Sequence, residues 1–201
     1  MDQRTEEWFA TRAGKVTASR VADVIAKTKS GYSASRANYL AQLVAERLTG
    51  KPQESFSNAA MEWGTSQEPY ARAAYESKAS VLVDEVGFVE HPSITLSGAS
   101  PDGLVGSDGL CEIKCPNTAT HLDYLLAKGV PAKYKPQMAW QLACTEREWC
   151  DFVYFDPRLP EHHQLFVVRY IPEDGYIQEL EAEVSKFLDE VQETINKLEN
   201  L

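Results

Sequence analysis

The stretch richest in chemistry is Ser100-Pro101-Asp102-Gly103, followed by Leu110-Cys111-Glu112-Ile113-Lys114-Cys115-Pro116. Side chains on a strand alternate between faces. Glu112 and Lys114 therefore share one face, and Cys111, Ile113 and Cys115 share the other. The second face is small and apolar and suits a core. The first sets a carboxylate beside an ammonium, and if Asp102 ends the neighbouring strand, a second carboxylate meets the first. Two hard carboxylates with open positions suit Mg2+ or Mn2+. A divalent ion there would acidify a water and neutralise phosphodiester charge. Lys114 would orient the attacking water or stabilise transition-state charge. The Ile113 carbonyl, between the two side chains, would add an oxygen ligand. The plainer alternative is a surface ion pair on an edge strand. Glu76-Ser77-Lys78 repeats the pattern in a helical segment with no Pro-Asp upstream.

Strands must carry this cluster and helices must cover it. Val81 to Val89 is rich in valine and predicts a strand. Ile94–Ala99, Leu104–Val105 and Leu110–Cys115 predict short strands separated by Gly- and Asp-containing turns. Trp149–Phe155 and Leu165–Ile171 are strands of β-branched and aromatic residues. Thr17 or Ser19 is placed to cap a helix through Val21, Val24 and Ile25, and Lys27 to Ser33 reads as a loop. Ser35–Leu48 predicts a helix, stopped by Gly50 and Pro52. Asn58–Ala79 is mostly helical, with Gly64 and Pro69 marking a break or a start. Thr118–Ala127 and Pro136–Cys144 are further helices. From Asp174 onward the apolar stripe Ile177, Leu180, Val184, Phe187, Val191, Ile195 and Leu198 predicts one long amphipathic helix. It covers the sheet by default, with a subunit contact as the alternative. The order predicts an α/β fold, a mixed central β-sheet flanked by helices, in one domain over 1–201 with 174–201 as a C-terminal helix.

The chain has 201 residues, 43% hydrophobic and 25% charged, which excludes general disorder. No apolar run has the length of a membrane span. The opening MDQRTEEWF lacks the basic-then-apolar order of a signal peptide, so a cytoplasmic protein is expected. The net charge of −10 argues against a nucleic-acid partner only until its distribution is read. Residues 173–201 carry nine acidic and two basic side chains, whereas residues 1–51 carry nine basic and five acidic. A polyanion meets the local field. The four cysteines, at 111, 115, 144 and 150, form no CxxC pair, so zinc and iron–sulfur sites read poorly.

Pro101-Asp102…Glu112-x-Lys114 matches the PD-(D/E)xK nuclease signature. Arg12-x-Gly14-x-x-Thr17-Ala18-Ser19, Trp63-Gly64…Glu68, Ser100-Pro101-Asp102-Gly103, Glu112-Ile113-Lys114-Cys115-Pro116, a Gln-bearing helix at 137–141 and Phe155-Asp156-Pro157-Arg158 follow in order. In this the chain resembles the phage λ exonuclease group (YqaJ-type viral recombinases, alkaline exonucleases) from about Glu7 to the C-terminal helix. The resemblance implies a restriction-endonuclease-like core. It implies a Mg2+-dependent 5′→3′ exonuclease, with Mn2+ as the alternative metal and two ions per site, that digests one strand of linear double-stranded DNA. It further implies a ring-shaped homotrimer acting with a single-strand annealing recombinase.

Carried over position by position, Asp102 and Glu112 would ligate metal, with the Ile113 carbonyl beside them, and Lys114 would assist the nucleophilic water. Glu68 matches the helix carboxylate of the second metal or its water; a first-turn acid favourable to a helix dipole is its plainer role. Arg12, Ser19 and Ser100 match a 5′-phosphate pocket, where a guanidinium and a helix N-terminus would both favour an anion. Ser19 and Thr17 could equally serve only as caps. Gln137 matches one glutamine of a Gln-x-Gln element whose second position is Ala139 here. Gln141 follows one turn on, as a phosphate-pocket residue or a plain polar face. Lys29 and Met61 align with DNA-contacting positions, against a solvated lysine and a core methionine. Lys128, Lys133 and Lys135 line a basic channel or are ordinary surface lysines, and His121, His162 and His163 read as surface residues.

Two other functions compete. A PD-(D/E)xK endonuclease or structure-specific resolvase would share the signature but would cut closed circular DNA. A non-catalytic DNA-end or recombinase-docking module would show no metal-dependent turnover.

Overall fold

The computed structural model describes residues 2–53 and 57–201. Helix α1 (Glu6–Arg12) leads into β1 (Val16–Thr17), a 3-10 turn at Ala18–Arg20 and α2 (Val21–Ile25). The segment expected as a loop forms a small hairpin, β2 (Lys27–Thr28) with β3 (Gly31–Tyr32). Next come α3 (Ala34–Thr49) and α4 (Ala59–Ala79). Helix α4 runs unbroken through Gly64 and Pro69. The carbonyl that Pro69 leaves without an N–H partner belongs to Thr65, and Thr65 is exposed, where water can replace that bond.

The Val81–Val89 segment is not one strand. It yields two short ones, β4 (Val83–Asp84) and β5 (Val89–Glu90), in different sheets. Then follow β6 (Ser97–Ala99), β7 (Gly103–Val105), β8 (Gly109–Lys114), α5 (Thr118–Ala127), α6 (Lys135–Thr145) and β9 (Trp149–Phe155). The chain ends with α7 (Glu161–Gln164), β10 (Leu165–Tyr170) and α8 (Tyr176–Glu199).

The main sheet has the order β10-β9-β8-β7-β4. Only β8 and β9 run parallel in it. A smaller sheet, β1-β6-β5, is parallel at β1–β6. Both faces of the main sheet are covered, so β8 and β9 are buried along almost their whole length. Cys111, Ile113, Cys115, Val153 and Phe155 form one core with Ala71 and Tyr75 of α4. Leu110, Phe152 and Tyr154 join the larger core with residues of α2, α3, α6 and α8. The expected alternation of β8 is thus borne out.

Helix α8 buries Leu180, Val184, Phe187, Val191 and Ile195. It packs mainly on α2, α3 and α6 rather than on the sheet. Its acids meet the basic N-terminal quarter: Glu190 pairs with the buried Arg36, and Glu183 with Lys27 at 2.9 Å. His121, expected at the surface, is fully buried on α5, with Nε2 at 2.9 Å from the His163 carbonyl.

Candidate active site

Asp102 immediately precedes β7, and the antiparallel register Gly103↔Cys111 continues to place it opposite Glu112. The turn is built for close approach. A Cβ at Gly103 would meet Val83 Cγ1 at 2.0 Å, so only glycine fits after the aspartate. Asp102 Oδ2 accepts the Ile113 N–H at 2.6 Å. Burial and the charges of Glu112 and Glu68 hold the Asp102 carboxyl well above the usual carboxylate range, against the lowering effect of Lys114 and the Ile113 amide.

Glu112 is 1% exposed. Its Oε1 accepts from Lys114 Nζ and, at 2.6 Å, from Gln137 Nε2; its Oε2 accepts from Gln141 Nε2 at 2.7 Å. The two glutamines lie one turn apart on α6 and donate to the same carboxylate; Gln141 is fully buried and lines neither cavity, so it is neither of the two things the sequence left open. Burial opposes the Lys114 ammonium, but Glu112 and Asp102 outweigh it and raise its pKa above the ordinary lysine value.

The structure thus gathers Asp102, Glu112, Ile113, Lys114 and Gln137 at one place. Glu68 is near enough for its charge to act on Asp102. Its own oxygens pair with Arg4 and, at 3.4 Å, with Arg72. Among the described residues no three His, Cys, Asp or Glu side chains converge on a metal position. The fit to Mg2+ or Mn2+ rests on two facing hard carboxylates that share one ammonium. Mg2+ commonly takes one or two protein carboxylates and fills its shell with water and substrate phosphate.

Arg12, Ser19 and Ser100 also come together, in the wall of a cavity of about 140 Å³ that Gln137 lines as well. Gly14, with φ +72°, turns the chain sharply after α1 and brings Ser19 back toward Arg12. Its N–H donates to Glu46 Oε2 at 2.7 Å and its carbonyl accepts from Arg47 Nε at 2.8 Å. Burial lowers the Arg12 pKa to about 10 although Tyr39 and Glu46 raise it, so the guanidinium stays charged at neutral pH. The helix-terminus contribution drops out. Helix α2 has five residues, and neither Thr17 nor Ser19 makes a side-chain cap. Their hydroxyls instead face each other at 3.5 Å.

Trp8 was not singled out by the sequence reading. Its indole N–H donates to Ser100 Oγ at 2.9 Å, and Arg12 lies over its ring at 3.7 Å. A tryptophan one turn before an arginine on α1 was the available signal. A larger cavity of about 970 Å³ adjoins, walled in part by Arg12, Lys15, Arg20 and Met61. Met61 is 53% exposed there and is not a core residue. Lys29 is exposed at the β2–β3 turn and lines neither cavity. Lys133 lies over the rings of Tyr124 and Tyr134.

Among the described residues no helix is long and apolar enough to cross a membrane. No curated protein sequence matches the chain. The fold agrees with solved structures. An alkaline exonuclease from Laribacter hongkongensis is 52% identical, with a TM-score of 0.91 over 98% of this chain and 97% of that one. The same enzyme solved in complex with dAMP matches equally. A phage related exonuclease from Haemophilus somnus 129PT shares the fold, with a TM-score of 0.74 at 15% identity over 92% of this chain and 96% of that one. The architecture is therefore the PD-(D/E)xK type, and the likeness to an alkaline exonuclease supports a DNA exonuclease. Residues 7–148 match the YqaJ-like viral recombinase domain, and the chain belongs to that family.

Proposed function

We propose that this chain is a divalent-metal-dependent exonuclease that digests one strand of linear duplex DNA 5′→3′ from a 5′-phosphorylated end. The observation that carries the reading is the position of Gln137. It donates to Glu112 and also lines the small cavity with Arg12, Ser19 and Ser100. A terminal phosphate gripped there would set the adjoining phosphodiester beside Asp102, Glu112 and Lys114, the geometry needed to remove one nucleotide at a time. The Laribacter enzyme has been solved in complex with dAMP, a mononucleotide, which supports nucleotide-by-nucleotide release as the reading.

Asp102 and Glu112 would hold the Mg2+ or Mn2+, with the Ile113 carbonyl as a further oxygen and Glu68 toward a second ion. The metal, when bound, would supply charge neutralisation and an acidified water. Lys114 keeps a positive charge at the reacting group and orients the nucleophile. Gln137 and Gln141 hold the Glu112 carboxylate in one orientation, and Arg12 provides bidentate recognition of the end phosphate. The product strand, left with a 3′ overhang, is the substrate of a single-strand annealing recombinase. A ring-shaped trimer would present the basic walls of the large cavity to duplex DNA.

The test is a time course on linear duplex with a 5′-phosphate at one end and a 5′-hydroxyl at the other, in Mg2+ or EDTA, with a closed circle as control. Mg2+-dependent mononucleotide release from the phosphorylated end, with the circle intact, is expected. Cutting of the circle would establish the endonuclease instead, and no cutting by folded protein would establish the docking module.

A further inference from the structure

Gln3 and Arg4 reach the site from outside α1. Gln3 Nε2 donates to the Val86 carbonyl at 2.9 Å and to the Pro101 carbonyl at 2.8 Å, pinning the chain beside Asp102. Arg4 follows with φ +67°, a left-handed conformation uncommon for residues with a Cβ. From there its guanidinium pairs with Glu68, and the residue lines both cavities.

Three features make this pairing an exchangeable one. The Arg4 side chain is 45% exposed, against 14% for Glu68. Glu68 does not depend on Arg4, because Arg72 approaches its other oxygen and is itself held by Glu85. Arg4 and Arg12 are the two charged residues that line the small cavity, and no acidic residue lines it. That lining suits a doubly charged terminal phosphate better than the single guanidinium read from the sequence. A planar guanidinium fork fits phosphate and carboxylate alike.

We propose that Arg4 is a second phosphate-gripping residue, released from Glu68 to the 5′-phosphate when a divalent metal takes that carboxylate. The proposal rests on the exonuclease reading above. Metal and guanidinium then compete for Glu68, so that metal loading and end capture favour one another.

The test uses Arg4→Gly, because glycine adopts φ +67° without strain and leaves the Gln3 anchor in place. Two quantities are measured on the full chain. One is Mn2+ binding to DNA-free protein, followed by the resonance of free Mn2+. The other is affinity for duplex ends carrying 5′-phosphate or 5′-hydroxyl, with Ca2+ in place of Mg2+. Arg4→Gly is expected to bind Mn2+ several-fold more tightly and to lose about ten-fold of the phosphate-over-hydroxyl preference, the range of one charge-assisted hydrogen bond. Arg4→Lys is expected to keep part of that preference. In a Glu68→Gln background, Arg4→Gly should give no further Mn2+ tightening. Wild-type values for Arg4→Gly in either measurement, or equal tightening in the Glu68→Gln background, would overturn the proposal. If the wild type itself neither bound Mn2+ nor discriminated the ends, the exonuclease reading would fall and this proposal with it. If the wild type did both and Arg4→Gly did not differ, the Arg4 proposal alone would fall.

Discussion

The indole N–H of Trp8 donates to Ser100 Oγ at 2.9 Å while Arg12 stacks on the same ring. One aromatic side chain thus ties together two residues of the proposed phosphate pocket that come from different segments, α1 and the β6–β7 connection. Trp8→Phe keeps a ring for Arg12 but removes the N–H. A neutral hydrogen bond contributes about 0.5–1.5 kcal/mol net. The expected result is a KM for 5′-phosphorylated duplex raised about three- to ten-fold, with kcat nearly unchanged. Steady-state kinetics on phosphorylated and hydroxyl ends check this; a fall in kcat at unchanged KM would place Trp8 in the chemical step instead.

Asp102 is held near Glu112 with only part of its charge offset by Lys114 and the Ile113 amide. Such a site serves activity at the expense of stability. Asp102→Asn retains an acceptor for the Ile113 N–H and removes the charge. It is expected to abolish metal-dependent cleavage and, in EDTA, to raise Tm by about 2–4 °C, corresponding to about 1 kcal/mol for a chain of this size. In saturating Mg2+ the gap should narrow, because the ion stabilises only the wild type. Calorimetry showing a lower Tm for Asp102→Asn in EDTA would contradict the account.

How much of this was legible in the sequence depended on the range of the interaction. Strand alternation is local, so Glu112 and Lys114 on one face and Cys111, Ile113 and Cys115 on the other could be read directly. The meeting of Asp102 with Glu112 followed from one antiparallel register. The fate of Val81–Val89 was not readable, because Asp84, Glu85 and Gly87 interrupt it and its two ends pair with different sheets. The stripe of α8 was legible, but the partner was not: a helical face carries no mark that distinguishes a sheet from α2, α3 and α6. His121 is buried through a contact to the His163 carbonyl 42 positions away, beyond any local pattern. Arg4 escaped notice for the same reason, since its partner Glu68 lies far along the chain, whereas Trp8 carried one local signal, an arginine one turn later on α1.

The two glutamines of α6 should separate in their effects. Gln141 is fully buried and is the donor to Glu112 Oε2, whereas Oε1 has both Gln137 and Lys114. Gln141→Ala leaves a buried charged oxygen short of a donor and should cost about 1–3 kcal/mol of stability. Gln137→Ala should cost under about 1 kcal/mol, because Lys114 remains on that oxygen. Its larger effect is expected on activity, through the wall of the small cavity that it shares with Arg12 and Ser100. Urea unfolding and cleavage rates measured on both variants check the ranking, and a reversed order of stability would refute it.

His91 links the small sheet to α8 and gives the fold a pH dependence separate from catalysis. Its Nδ1 accepts the Ile94 N–H at 3.1 Å and the Ser93 N–H at 3.3 Å, its ring stacks on Trp140, and Nε2 stands 3.4 Å from Glu181. An accepting Nδ1 requires the neutral ring. Burial lowers the His91 pKa below the ordinary 6.5, and Glu181 opposes that shift only in part. The unfolded chain therefore takes up a proton as pH falls through 6.5, while the folded chain resists until lower pH. The stabilisation is complete above the unfolded value and is lost as pH falls through the folded one. His91→Asn keeps a short acceptor for the two backbone amides but does not titrate. Thermal melts of wild type and His91→Asn at pH 8 and near pH 5.5 should show a larger loss for the wild type over that interval. Parallel losses in the two proteins would assign the acid sensitivity to the carboxylates instead.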